Sequence, residues 1–464
     1  MLDRAVMAVL FLLLSSAAVL QSYGLESVGT LAILILLAAV AYRIAVVRLA
    51  LSPAYRATAK AVVGRMSGRP GHLALVLMFL GLFLFSFPRA SALASIDPLT
   101  AALEVVKWTS VAALLFGTVV AAEGTGVEAP LLRSMAWAFL LFGIANVLLY
   151  AMQVQNSTAM GRYAWNPERA LILRYLGFDT VRVQLVFSSG IEPGGTQIAP
   201  GLALGLALTR LDRQQRFRRF AWVLVLSSLA CILLTDSRTG LLAALAGAAV
   251  VVAPRVLKRR VHWLALVAPA MPLALLLALR SFANDPALGG LEREGAASVG
   301  VLSGRPLIWG SIVAFLSRFE PTHLIGYGSW GQVGSGVSAR YAALFATEFL
   351  DPTRAGAHNA VLQSVLDVGY IGALLQLALF WRLLRRFARA AEQPNVEGQW
   401  ANVGLGLTVC LIVLGVTSET LSAARPVNLA LFLALNVHCL SARTSLRSAP
   451  SSAPRSDGPG VSSP

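Results

Sequence analysis

Apolar runs approaching the ~20 residues that a bilayer requires alternate along this chain with short polar connectors. The pattern predicts twelve membrane-spanning helices: Ala5–Leu20, Val28–Val47, His72–Phe87, Leu99–Ala122, Ser134–Met152, Thr196–Thr209, Phe220–Leu234, Thr239–Ala253, Val261–Leu279, Asn359–Phe380, Trp400–Val416 and Val427–Leu440. The first run follows Arg4 as the core of a signal peptide would. No convincing small-residue cleavage site precedes the second run, so a retained helix is expected. Two longer polar stretches break the rhythm, about 153–195 and 280–358. The second is too long to lack internal structure. Ser303-Gly304-Arg305-Pro306 has the form of a helix start, Val337–Leu350 has room for another short helix, and the glycine-rich Ile325–Gly336 reads as a flexible loop between them. The expected unit is one integral membrane domain over 1–440, followed by a disordered cytoplasmic tail, 441–464, rich in Ser, Pro and Ala.

The tenth span departs from plain hydrophobicity. Asn359, Gln363 and Asp367 recur every four residues and so share one face of a helix. A carboxylate inside a membrane helix costs at least about 2.5–3.5 kcal/mol, so the stripe should face protein or water. One reading makes it the floor of an active site beneath His358; the other makes His358-Asn359 a helix cap above a packing stripe of polar glue. In the fourth span, Glu104 and Lys107 at i, i+3 read as a self-neutralising pair turned inward rather than a proton relay.

Composition agrees with the pattern. Hydrophobic residues are 57% and charged residues 13% of the chain, against about 25% charged in soluble domains. The fold class expected is an all-α polytopic membrane protein. A net charge of +16 invites a nucleic-acid reading. That reading fails, because the Lys and Arg residues fall in short clusters between apolar spans, as the positive-inside rule describes. Cys231, Cys410 and Cys439 all sit in apolar runs, and the five histidines have no HxH or HxxxH spacing, so neither a disulfide framework nor a metal site is expected. Ile325–Gly336 does not match GxxxxGK[ST], and no cofactor is expected.

The short basic connectors set the orientation. With both termini cytoplasmic, they lie inside, whereas short outer turns such as Gln21–Ser27 carry almost no Lys or Arg. The two long polar stretches, Arg238 and His358 then share the outer face, the periplasm in a Gram-negative cell. Several arginines beside one histidine at a membrane boundary suit a phosphorylated lipid. A guanidinium presents a fixed fork of donors to phosphate oxygens and stays charged, and imidazole titrates near neutrality and can accept a proton from a hydroxyl. The bland alternatives are solvated loop arginines and, for Arg238, a pairing with Asp236 or with lipid headgroups.

Four motifs, in order, resemble the O-antigen ligase and Wzy-type polysaccharide polymerase superfamily. Asp236-Ser237-Arg238-Thr239-Gly240 resembles its SRTG turn, and Ser303-Gly304-Arg305 through Trp309 its GR-x-x-x-W helix start. Leu324-Ile325-Gly326-Tyr327-Gly328 resembles its L-x-G-x-G segment, and Ala357-His358-Asn359 through Gly369 and Gly372 its HN helix with a downstream G-x-x-G. The resemblance implies a GT-C-like, metal-independent, inverting glycosyltransferase at the periplasmic face of the bacterial inner membrane. Its donor would be an undecaprenyl-diphosphate-linked glycan, and its acceptor lipid A-core for a ligase or a second lipid-linked repeat for a polymerase. Arg238 and Arg305 fall on diphosphate-binding positions, and His358 on the catalytic position, to which Arg305 also contributes. Arg182 matches an outer-loop arginine, although the stretch Ser188–Pro200 departs from the family's NPN-like pattern. Asn359 and Asp367 would support the site. Readings from other classes are a lipid-linked oligosaccharide flippase and a structural subunit of an envelope complex.

Overall fold

The computed structural model describes residues 52–123, 129–152, 170–188, 191–211, 215–253, 255–271, 274, 305–345 and 352–442. The first two expected spans, the end of the ninth, Ser303-Gly304 and nearly all of the tail lie outside the described residues. What is described is helical, with no β-strand among those residues.

Sequence signals fix most of the helix starts. Helices α1 (Pro53–Ser67), α2 (Pro70–Ala92), α3 (Pro98–Ala122) and α4 (Pro130–Ala151) each open on proline, whose missing N–H costs nothing in a first turn. The Asp97 carboxylate accepts from Thr100 N at 2.9 Å and caps α3. Next come α5 (Ile191–Leu211), α6 (Gln215–Leu234) and α7 (Arg238–Val252), then short helical pieces over 255–270. Helix α8 (Arg305–Leu316) follows, then α9 (Ala360–Ala390), α10 (Val396–Thr417) and α11 (Pro426–Ser441). Six of these are long and apolar enough to cross a membrane, or seven counting the bent pair Arg238–Val252 and Arg255–Val267 as one span. The chain is thus an all-helical polytopic membrane protein. The sequence reading left 48–69 and 382–389 as connectors, but Pro53–Ser67 forms α1 and 382–389 is the helical end of α9.

Small residues let the membrane helices approach closely. A Cβ on Gly247 of α7 would lie 2.6 Å from the Gly406 carbonyl of α10, and one on Gly205 of α5 would lie 2.8 Å from the Val225 side chain of α6. Lys107 of α3 is bonded to the Glu104 carboxylate, which also accepts from Trp108 Nε1 at 3.1 Å, so this pair neutralises itself within the bundle.

The largest difference from the expected layout is in the tenth span. It is not one continuous helix. Gly369 sits at φ 75°, ψ −179°, outside any helical conformation, and α9 breaks there. Ser364 and Gln376, twelve residues apart, are hydrogen-bonded to each other, whereas a straight helix would hold them about 18 Å apart. The segment before the break has a separate core. Leu362 and Leu366 pack with Ile308, Trp309, Ile312, Val337 and Tyr341, while Leu375 and the residues after it join the main membrane core. The polar stripe therefore belongs to a layer over one end of the bundle.

The glycine-rich stretch anchors that layer and is not the loose loop the sequence suggested. Tyr327 N donates to Leu366 O at 2.7 Å and Gly328 N to Asp367 O at 2.9 Å, which satisfies carbonyls that the break releases. Ser329 N donates to Ser86 O of α2 at 3.0 Å, and Arg89 Nε to Gly326 O at 2.5 Å.

Candidate functional site

Hydrogen bonds and ion pairs group several helix ends on two faces. On one face, Arg65 pairs with Glu123 at 2.6 Å and donates to Ser441 O at 3.1 Å. Arg69 binds the last carbonyls of α11, and Arg259 pairs with Glu392 just past α9. The four motifs lie on the other face.

There, Ser237 caps α7 by accepting from Gly240 N at 3.2 Å, which puts Arg238 in the first turn. Buried Arg182 donates from Nε to Thr235 O at 3.1 Å, so this arginine contacts the residue that leads into the SRTG turn. The preceding Asp236 carboxylate, fully buried, accepts from Ile172 N at 2.9 Å. Thr239 Oγ1 then meets Thr417 Oγ1 at 3.0 Å, and Asn359 Nδ2 donates to Val416 O at 2.8 Å. The SRTG turn and the HN motif thus hang on adjacent residues at the end of α10, where neighbouring Cα atoms are about 3.8 Å apart.

The third motif reaches the same place. Trp309, fully buried, donates from Nε1 to Ala357 O at 2.9 Å. Arg305 is one helical turn earlier on the same face of α8, where Cβ atoms stand about 5–6 Å apart. Tyr341 Oη donates to Ala355 O at 3.1 Å, and Ala357 N donates to Gln363 Oε1 at 2.9 Å. Three side chains therefore hold 355–357 in place, and the next residue, His358, adopts φ 48°. Asp236 has the same φ of 48°. Left-handed conformations are costly for non-glycine residues and persist where surrounding contacts impose them.

Asn359 caps the first part of α9, accepting from Val361 N and Leu362 N at 3.0 and 2.9 Å. Gln363 Nε2 donates to Gln332 Oε1 and to Asp367 Oδ1, both at 2.8 Å, and Gly331 N donates to the same carboxylate oxygen at 2.8 Å. The hydrogen bonds show the cap and the polar packing stripe of the second sequence reading. Asn359 is a cap, and the stripe is a polar network directly behind His358.

The sequence reading passed over one member of this rim. Glu419 lies between α10 and α11, 6% exposed, and its carboxylate fills the space a side chain at Gly356 would need. Arg425 pairs with it at 3.4 Å. Burial, and then the Glu419 charge, push the Tyr341 phenol upward. Tyr327 is pushed up to about 12, by burial and then by Glu320. The sequence signal for Glu419 was a carboxylate and an arginine in one very short turn between apolar spans. Among the described residues, no group of three His, Cys, Asp or Glu side chains is close enough to hold a metal ion.

No curated protein matches the chain. A family model, Wzy_C, described as O-Antigen ligase, matches residues 222–377. The matched stretch runs from α6 into α9 and includes Arg238, Arg305, His358, Asn359 and Asp367, while Arg182 and Glu419 lie outside it. The match over residues 222–377 holds all four motifs and supports their resemblance to the O-antigen ligase and Wzy-type polymerase superfamily.

Proposed function

We propose that this protein is an O-antigen ligase, moving a glycan from an undecaprenyl-diphosphate carrier to lipid A-core at the periplasmic face of the inner membrane. In this reading the chain crosses twelve times, in a GT-C-like arrangement with its tail in the cytoplasm. Arg182, Arg238 and Arg305 grip the diphosphate. A charge pair at about 4 Å gains on the order of 4 kcal/mol at an effective dielectric of 20, so two or three such contacts stabilise a departing diphosphate without a metal ion. The acceptor hydroxyl oxygen attacks the anomeric carbon from the opposite side, and the carbon–oxygen bond to the diphosphate breaks with its electron pair leaving on the phosphate. His358 accepts the hydroxyl proton, and the anomeric configuration inverts. Asn359 and Asp367 support the imidazole from behind.

The observation that carries this reading is the run of contacts linking Arg182, the Arg238 turn, the end of α10, the HN motif and the Trp309–Arg305 helix on one face. A flippase has less support. Among the described residues the interrupted helix α9 has its freed carbonyls bound by the layer above it.

The test is reconstitution of purified protein with an undecaprenyl-diphosphate glycan and two competing acceptors, lipid A-core and a second lipid-linked repeat, with products read by mass. Lipid A-core product is expected, lost in folded His358→Ala and Arg305→Ala. Elongated lipid-linked product would assign the polymerase instead. Substrate movement without bond formation, or full transfer by both variants, would end the glycosyltransferase reading.

A further inference from the structure

The face opposite the motif rim carries a cavity of about 460 Å³ lined by Arg259, His262, Trp381, Arg385, Arg389 and Glu392. Its construction is specific. Trp381, Arg385 and Arg389 follow one another every four residues along the end of α9, so they form one stripe. Facing them is the segment 255–267, which turns 120° away from α7. One wall is aromatic: the His262 ring stands edge-on to Trp381 at 4.4 Å, and Trp263 does so at 5.2 Å.

The charges do not balance inside this cavity. Glu392 takes both donors of Arg259, at 2.7 and 3.0 Å. Arg385 and Arg389 repel one another at i, i+4, and among the described residues neither is in an ion pair. Three guanidinium groups and one carboxylate leave an excess of two positive charges. The surroundings are those of a membrane interface. Val256, Leu257, Trp263, Leu266 and Val267 expose their side chains beside the cavity, and tryptophan and arginine concentrate at headgroup depth. An apolar wall next to two uncompensated guanidinium groups suits an amphiphile better than a free ion, and the volume is in the range of small-ligand pockets.

We propose that this cavity binds the phosphodiester headgroup of an anionic phospholipid in the leaflet opposite the motif rim, with Arg385 and Arg389 holding the phosphate and Trp381 packing on the glycerol. The site is independent of the glycan-transfer reading.

The test uses the full-length protein in neutral detergent, titrated with phosphatidylglycerol, phosphatidylcholine or inorganic phosphate and read by native mass spectrometry. Phosphatidylglycerol should be retained over phosphatidylcholine. Arg389→Gln should weaken it about fivefold, and Arg385→Gln with Arg389→Gln on the order of thirtyfold. Both arginines are exposed, so neither change disturbs the core. Arg56→Gln with Lys60→Gln on α1, also exposed, should leave phosphatidylglycerol retention unchanged. Equal retention of the two lipids, wild-type retention by the double variant, or displacement of phosphatidylglycerol by millimolar inorganic phosphate would overturn the assignment.

Discussion

Replacing Gly369 with alanine tests whether the break in α9 holds the outer layer in place. The backbone there, φ 75° and ψ −179°, is a region open essentially to glycine alone, and forcing another residue into it costs about 1–3 kcal/mol. The new Cβ would also fall on the Leu324 carbonyl and 2.5 Å from Gly326 N. These are backbone atoms of the glycine-rich anchor and cannot swing aside, so overpacking adds about 1–3 kcal/mol. Relief by separation would break Tyr327 N to Leu366 O and Gly328 N to Asp367 O, at about 1 kcal/mol each. The expected loss is about 2–6 kcal/mol. Gly310→Ala is the control. It lies on the exposed side of α8, where an added Cβ meets nothing within 4 Å, so the same substitution should gain about 0.4–1 kcal/mol. Equilibrium unfolding in mixed detergent–dodecyl sulfate micelles, followed by tryptophan fluorescence, measures both. A Gly369→Ala protein within about 1 kcal/mol of the parent would refute the argument, since neither the strain nor the close approach would then exist.

Other consequences are equally direct. Trp309→Phe keeps an aromatic side chain but removes the N–H that holds the Ala357 carbonyl and part of a fully buried indole, and should cost about 2–4 kcal/mol while lowering transfer rate more than donor affinity in the proposed reaction, separable in a KM-against-kcat comparison. Glu419→Ala leaves Arg425 buried without its partner, with both side chains only 7% exposed, and should cost about 3–5 kcal/mol. Glu419→Gln combined with Arg425→Met should cost less than the sum of the single changes, read by a double-mutant cycle. The hydrogen bonds from Arg259 hold the Glu392 carboxyl below its usual range. Because the folded value is the depressed one, its stabilisation is present above the ordinary glutamate range near ~4.3 and is lost as pH falls through the folded value. Glu392→Gln should remove that part of the acid dependence in pH-resolved melting curves.

The sequence alone determined that this chain lives in a membrane, where its helices run and which motifs face the same side. Hydrophobicity over bilayer length, proline at helix starts and polar caps are local signals, and α2, α3, α4, α10 and α11 follow them closely. The order of the SRTG, GR-x-x-x-W, L-x-G-x-G and HN motifs was legible for the same reason, and the family match falls on the stretch that holds them. Only the tertiary structure decided that the tenth span breaks at Gly369. Along the sequence Asn359–Phe380 reads as one continuous apolar span, and the backbone that lies against the break, Leu324–Gly328, is more than forty residues upstream. The same holds for Glu419. A carboxylate in a short turn looks solvated until Gly356 and Arg425 are seen around it, because burial is a property of what packs nearby and no local pattern encodes that.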